Sequence, residues 1–179
     1  WNLITAYYDD ITLRSPDDLE EQPQPDSPPG TLFLSPERSF GNKELRITVN
    51  LAAKDVNQLY AVKAYVEYDP AKVTLETITL GSGIRNNAYI NWKDDNGKVT
   101  IIATLVGNRV IPENETIASL SFYPKPGVLG ATDFSLLGVS ELAKIDADET
   151  NKRYTQGQDS SVTYKVVEYG LDFLVKVAK

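Results

Sequence analysis

The sequence predicts an all-β protein, a sandwich of two antiparallel sheets with about nine strands, and two observations support this fold class. From residue 31 onward, short runs rich in Val, Ile, Thr, Tyr and Phe alternate with clusters of Gly, Pro, Asn and Asp, a pattern typical of many short strands. No segment sustains a helical period, and no internal repeat is present, which disfavours α/β folds, solenoids and propellers.

The strand candidates follow one another at short, regular spacing. Asp69-Pro70 is expected to end the third of them, because proline lacks an amide donor and holds the preceding residue extended. Asn96-Gly97 predicts a tight hairpin, since this pair supplies the positive φ angles of such turns. Residues 169–177 fit either a last strand or a short helix. The predicted strands are residues 32–34, 45–51, 59–68, 73–80, 89–93, 98–106, 116–123, 132–139 and 162–167.

The first thirty residues differ in composition from the rest, which predicts two parts: an N-terminal arm with an acidic, Pro-rich linker (1–30) and a sandwich domain (31–179). Residues 15–30 contain five prolines among acidic residues, a composition that favours an extended tether. Residues 1–13 are more apolar. They are either a strand that docks on the domain or the remnant of an upstream domain.

Composition excludes several classes of site. The chain has no Cys and no His, which rules out disulfides, Cys/His zinc sites and imidazole catalysis, and no cofactor is expected. The absence of Met, even at position 1, leads us to expect a mature or excised segment. No apolar run approaches the ~18 residues of a membrane span. The net charge of −7 argues against nucleic acid as a partner.

The segment LYAVKAYVEYDPAKVTL at residues 59–75 resembles the third and fourth strands of cohesin modules. The Asn96-Gly97-Lys98 hairpin leading into VTIIATL, and then TIASLSFYPKPG, follow in the order found in that family. The resemblance covers roughly residues 31–167. It implies a nine-stranded jelly-roll sandwich, secreted or displayed on a cell surface, that binds a calcium-loaded dockerin module on the open face of one sheet and itself needs no metal.

Strand alternation predicts which side chains would face such a partner, because successive residues point to opposite sides of a sheet. Val62, Ala64, Val66 and Tyr68 form the more apolar set of their strand and are expected to face the core. On the same logic Ile102 points outward beside Tyr65. The predicted partner-binding residues are Lys63, Tyr65, Glu67, Thr100, Ile102 and Thr104.

Other functions stay open at this point. A protein-binding module would take a dockerin-like module or another surface protein as its partner. A carbohydrate-binding module would take a polysaccharide. A structural segment of a surface-layer or adhesion protein would need no partner. Trp1, Trp92 and ten tyrosines could provide a sugar-stacking platform. Residues 146–151 resemble a calcium loop only in part, and an acidic surface loop is the simpler interpretation. Nothing singles out a pair of catalytic carboxylates, so no enzyme is predicted.

Overall fold

The computed structural model describes residues 31–37, 46–145, 152–156, 160–167 and 170–174. This part of the chain forms ten strands, and one short 3₁₀ helix (Arg85–Asn87) precedes the fourth strand. No helix among the described residues has the length and apolar character needed to cross a bilayer. The strands are β1 (Thr31–Glu37), β2 (Ile47–Tyr68), β3 (Val73–Leu80), β4 (Ala88–Asp94), β5 (Lys98–Pro124), β6 (Gly130–Leu136), β7 (Glu141–Ile145), β8 (Lys152–Gln156), β9 (Ser160–Val167) and β10 (Gly170–Leu174).

Two long strands, β2 and β5, organise the fold. They pair antiparallel from Ile47 opposite Phe122 to Glu67 opposite Lys98, with irregularities in register between Leu51 and residue 61. Bulges of this kind bend and twist a strand pair. Each long strand therefore contributes one half to each sheet of the sandwich, as ladders with different neighbours on the two halves show.

The first sheet has the order β1, first half of β2, second half of β5, β3. The second sheet begins with β4 and continues through the first half of β5 and the second half of β2. Beyond β2, β7 and β6 lie end to end along the same strand, and they pair in turn with β8 and β9. β10 pairs with β9. All these pairings are antiparallel, which confirms the predicted class.

Several boundaries differ from the predicted ones. Predicted strands 45–51 and 59–68 are one strand, as are 98–106 and 116–123, because the polar residues between them stay within the β2–β5 ladder. Residues 170–174 form a strand rather than a helix. The short strands β7 and β8 were not predicted. β8 (KRYTQ) is polar, and β7 (ELAKI) has only one β-branched residue and no aromatic residue.

A row of four aromatic rings crosses the core between the sheets. Tyr68 packs on Phe122 with ring centroids 5.1 Å apart, Phe122 on Phe134 at 4.7 Å, and Phe134 meets the edge of Tyr164 at 5.7 Å. The Tyr164 hydroxyl, from β9, donates to the carbonyl of Thr48 in the first sheet. Burial raises the pKa of both tyrosines. These rings and one interlayer hydrogen bond fix how the two sheets stack.

Candidate functional site

The six predicted partner-binding residues lie on the outer side of the second sheet. Their inward neighbours in β2, from Val62 to Tyr68, are buried in the core, as predicted, and so are those in β5, from Val99 to Leu105. Lys63, Glu67 and Ile102 are exposed, and the other three are half-buried. We call this surface the platform; it comprises Lys63, Tyr65, Glu67, Tyr89, Asn91, Lys93, Lys98, Thr100, Ile102, Thr104 and Val106.

Register places the platform residues in rows across three strands. One row runs Lys93, Thr100, Tyr65, and the next Asn91, Ile102, Lys63. Ile102 is therefore opposite Lys63, and it is a diagonal neighbour of Tyr65 rather than its direct partner. Diagonal residues still lie within reach of aromatic side chains, at about 7–8 Å.

Tyr65 stands at a gap between two ladders, where β2 has left β7 and has not yet met β6. Its amide donates to the hydroxyl of the fully buried Ser140 at 2.9 Å, and its carbonyl accepts from the amide of Leu137 at 2.9 Å. The turn between β6 and β7 thus provides hydrogen-bond partners for the Tyr65 amide and carbonyl, which neither ladder pairs. These bonds hold the Tyr65 backbone in a fixed position.

Two lysines approach the Tyr65 ring. The ammonium groups of Lys63 and Lys98 lie 5.3 and 5.7 Å from the ring centroid. A hydrogen bond to Tyr65 raises the pKa of Lys63, with further contributions from the charges of Tyr65 and Glu141. Lys98 also lies 3.8 Å from a Glu67 carboxylate oxygen. This end of the platform is therefore polar, with charges of both signs.

The other end of the platform is apolar. Tyr89 is 75% exposed, Ile102 46% and Val106 57%. Tyr89 pairs with Thr104, so it lies diagonally between the rows of Ile102 and Val106. These three side chains form an apolar strip along the boundary of β4 and β5, and they are among the few large exposed hydrophobic residues in the described part of the chain.

The hairpin that joins β4 to β5 is tied to β2. The Tyr68 hydroxyl donates to Asp94 Oδ2 at 2.6 Å, and the Tyr68 amide donates to the Gly97 carbonyl at 2.9 Å. Asn96 and Gly97 have φ of 51° and 110°, as the predicted hairpin requires. A Cβ on Gly97 would lie 2.9 Å from Pro70 Cδ, so this turn packs directly against the end of β2. The platform is thereby braced at its polar end.

Sequence reasoning missed Tyr89 and Val106. The signal was present, because a hairpin centred on Asn96-Gly97 pairs Asp94 with Val99, and counting outward from this pair places Tyr89 opposite Thr104. The sequence interpretation assigned sides to β2 and β5 but not to β4. Tyr89 was therefore predicted only as one of the ten tyrosines that could stack on a sugar.

The remaining candidates do not converge on one site. Trp92 is opposite Ile101, on the opposite side of β4 from Tyr89, so the two aromatic residues do not share a flat surface. The Asp94 carboxylate accepts hydrogen bonds from Tyr68 and Gly97, so it belongs to the β4–β5 turn and is not a candidate ligand. Among the described residues no group of three or more acidic side chains could hold a metal ion. The calcium-loop candidate, residues 146–151, and the N-terminal arm, residues 1–30, lie outside the described part.

Comparisons with known proteins agree with this architecture. The family model of the cohesin domain matches residues 35–163. A search of curated proteins finds no significant match. Solved structures with the same fold include a cohesin module of a Clostridium perfringens family 33 glycoside hydrolase, with a TM-score of 0.58 and 16% identity over 76% of this chain and 97% of that one.

Two further structures are similar at the level of fold. A non-cellulosomal cohesin from Archaeoglobus fulgidus has a TM-score of 0.55 and 14% identity, and covers 79% of this chain and 93% of its own. The sixth cohesin of scaffoldin B from Acetivibrio cellulolyticus was solved in complex with a Cel5 dockerin mutant. It has a TM-score of 0.54 and 18% identity, and the match covers 75% of this chain and 97% of that one. Because the family match spans most of the sequence and the fold agrees with it, the chain belongs to the cohesin domain family.

Proposed function

We propose that this cohesin domain is a non-catalytic module of a secreted or cell-surface protein that captures a dockerin-type partner on the platform. Cohesins partner with dockerins, and the Acetivibrio cellulolyticus relative was solved in such a complex. The observation that supports this location is the apolar strip of Tyr89, Ile102 and Val106, exposed on an otherwise polar sheet face.

The layout of the platform suits a protein interface. Protein interfaces combine an apolar centre, often with aromatic residues, and a polar rim. Here the apolar strip adjoins a polar region in which Lys63 and Lys98 flank Tyr65. The strands are paired on both sides of β5, so binding would immobilise side chains but little backbone, which lowers the entropic cost of association.

A carbohydrate-stacking function finds less support. Tyr89 and Trp92 face opposite sides of β4. Tyr65 and Tyr89 share the outer side, but their rows are four residues apart along the strands and two strands apart across the sheet, which separates them by about 16 Å. A flat sugar ring could not stack on both at once.

The test is binding of purified dockerin modules from the source organism, measured by calorimetry in calcium and after chelation. Tyr89→Ala and Ile102→Asp should each weaken binding at least about tenfold, the effect of losing a central interface residue. Thr79→Asp, which adds charge to the outer side of the first sheet, is the matched control and should leave affinity unchanged.

The experiment distinguishes failure of the proposed function from failure of the proposed binding surface. Chelation should abolish binding through the dockerin while the circular dichroism of this chain stays the same. If a dockerin binds and both platform variants bind equally well, the module function stands but the platform is the wrong surface. If no dockerin binds and a glycan does, the carbohydrate-binding alternative replaces the proposal.

A further inference from the structure

β4 is an edge strand of the second sheet. Within the described part of the chain it pairs with β5 alone, and all seven of its residues pair without a change of register. Tyr89 on the outer side and Trp92 on the inner side are 75% and 38% exposed. A regular edge strand that solvent reaches from both sides is able to accept another strand.

The backbone groups available on β4 belong to every second residue. The Asp95 amide donates to the Lys98 carbonyl at 3.0 Å, which makes these two residues a hydrogen-bonded pair of the hairpin. Hydrogen-bonded and non-hydrogen-bonded pairs alternate along an antiparallel ladder. Residues 89, 91 and 93 therefore direct their amides and carbonyls toward β5, whereas residues 88, 90, 92 and 94 direct theirs away from it.

The corresponding edge of the first sheet is better protected than β4. Among the described strands β3 also pairs with β5 alone, but its register shifts between Leu75 and Thr77. Such a bulge interrupts the row of backbone groups that another strand would bond. β4 contains neither a bulge nor a proline. Its one lysine, Lys93, pairs with Asp95 of the same hairpin at 2.6 Å, so it places no unpaired charge on the edge.

The side chains of β4 complement those of a second β4. Antiparallel pairing of two copies about Asn91 places Tyr89 of one copy opposite Lys93 of the other, on the outer side. On the inner side it places Ile90 opposite Trp92. The first pair brings a cation to an aromatic ring, and the second brings a β-branched side chain to one. A twofold axis forms each pair twice, and no like charges face each other.

Backbone and burial favour the same register. It joins residue 90 to residue 92 and residue 88 to residue 94, all of which direct their backbone groups away from β5, and it provides about eight hydrogen bonds. Trp92 is 38% exposed, although Ile101 opposite it in β5 is fully buried. A strand added beside β4 would cover the exposed part of Trp92 and place Ile90 of the other copy against it.

We infer that two copies of this chain associate by antiparallel pairing of β4 with β4, so that their second sheets continue as one sheet. Both platforms then face the same side, because the twofold axis is perpendicular to the sheet. The dimer is weak, since one strand pair buries less than the about 1,200 Å² of a standard interface. The inference concerns the chain alone and does not rest on the proposed function.

Sedimentation equilibrium of the purified chain between about 10 µM and 1 mM tests self-association. We expect a reversible monomer–dimer equilibrium. Trp92→Lys, which places a charge opposite Ile90 of the other copy, should weaken the dimer at least tenfold. Leu129→Lys, the same change at an exposed apolar residue outside β4, should leave the dimer unchanged. A monomer at every concentration, or equal association of the two variants, would overturn the inference.

A disulfide tests the register, since the chain has no cysteine. The two Asn91 residues form a non-hydrogen-bonded pair at the axis, with Cα atoms about 4.5 Å apart, which is within the range of a disulfide. Under mild oxidation Asn91→Cys should form a covalent dimer at least tenfold faster than Thr79→Cys, at an exposed site of the first sheet. In Lys93→Cys the two positions are about 14 Å apart, so this variant should also react slowly. Equal rates for Asn91→Cys and Thr79→Cys, or a faster reaction of Lys93→Cys than of Asn91→Cys, would show that β4 does not pair in this way.

Discussion

Replacing Tyr68 by Phe tests whether the β4–β5 hairpin is braced by a single side-chain hydrogen bond. The substitution keeps the ring, which packs on Phe122 at 5.1 Å, and removes only the hydroxyl that donates to Asp94 at 2.6 Å. Tyr68 is 9% exposed, so water cannot fully replace the lost donor. Asp94 keeps only its bond from the Gly97 amide, at 3.2 Å.

The expected cost follows from the charge of the acceptor. Hydrogen bonds to charged groups contribute about 1.5–3 kcal/mol, and the partial exposure of Asp94 favours the lower end, about 1.5 kcal/mol. For a domain of this size that corresponds to a fall in Tm of roughly 3–6 °C. Amide exchange at residues 95–98 should accelerate more than exchange in β2, because the lost bond braces the hairpin.

Urea unfolding followed by circular dichroism measures the free energy, with Tyr123→Phe as the matched control. The Tyr123 hydroxyl accepts from Arg46 at 2.6 Å in a more exposed cluster with Glu76, so its loss should cost below about 0.5 kcal/mol. If the two variants lose equal stability, or Tyr68→Phe loses none, the bracing argument is refuted.

Two further predictions concern the same turn and the core. Gly97→Ala should destabilise the fold by about 1–3 kcal/mol, because a φ of 110° strains an L-residue and the added Cβ would lie 2.9 Å from Pro70. Urea unfolding measures this change. An unchanged free energy of unfolding would show that the turn relaxes freely. Above about pH 10, stability should fall, since burial raises the pKa of Tyr164 and the folded state retains a proton that the unfolded chain releases. The stability that this proton contributes is fully present below about pH 10 and decreases by about 1.4 kcal/mol per pH unit above it. The free energy of unfolding of Tyr164→Phe should therefore fall less steeply with pH in this range. Identical slopes for the two proteins would contradict this assignment.

The features that the sequence predicted well are those set by local chemistry. Asp69-Pro70 ended a strand and Asn96-Gly97 formed a hairpin, because both depend on the φ preferences of the residues themselves. Alternation in β2 and β5 correctly separated inward from outward side chains for the six candidate residues. That they bind a partner stays a prediction.

The features that escaped prediction depend on neighbours distant in sequence. The middle of β2 stays in a strand because β5 runs beside it, and β7 forms because β2 offers it a ladder. Neither partner can be recognised from the local pattern of apolar and polar residues. The burial of Phe33 is a similar case, since alternation places it on the side of β1 opposite Leu32 and Leu34 but does not predict that it is 1% exposed.

The two outer faces of the sandwich differ in a way that bears on function. On the first sheet Phe33 and Ala52 are buried, and across the rest of its described outer side the exposed residues are polar, such as Glu76 and Thr79. The second sheet keeps Tyr89 and Ile102 in solvent, where they cost solubility without contributing to the core. Exposed apolar side chains on the outer side of the second sheet, on strands braced from behind by Tyr68, are what the proposed partner-binding role would require. A purely structural domain would gain by replacing them with polar residues.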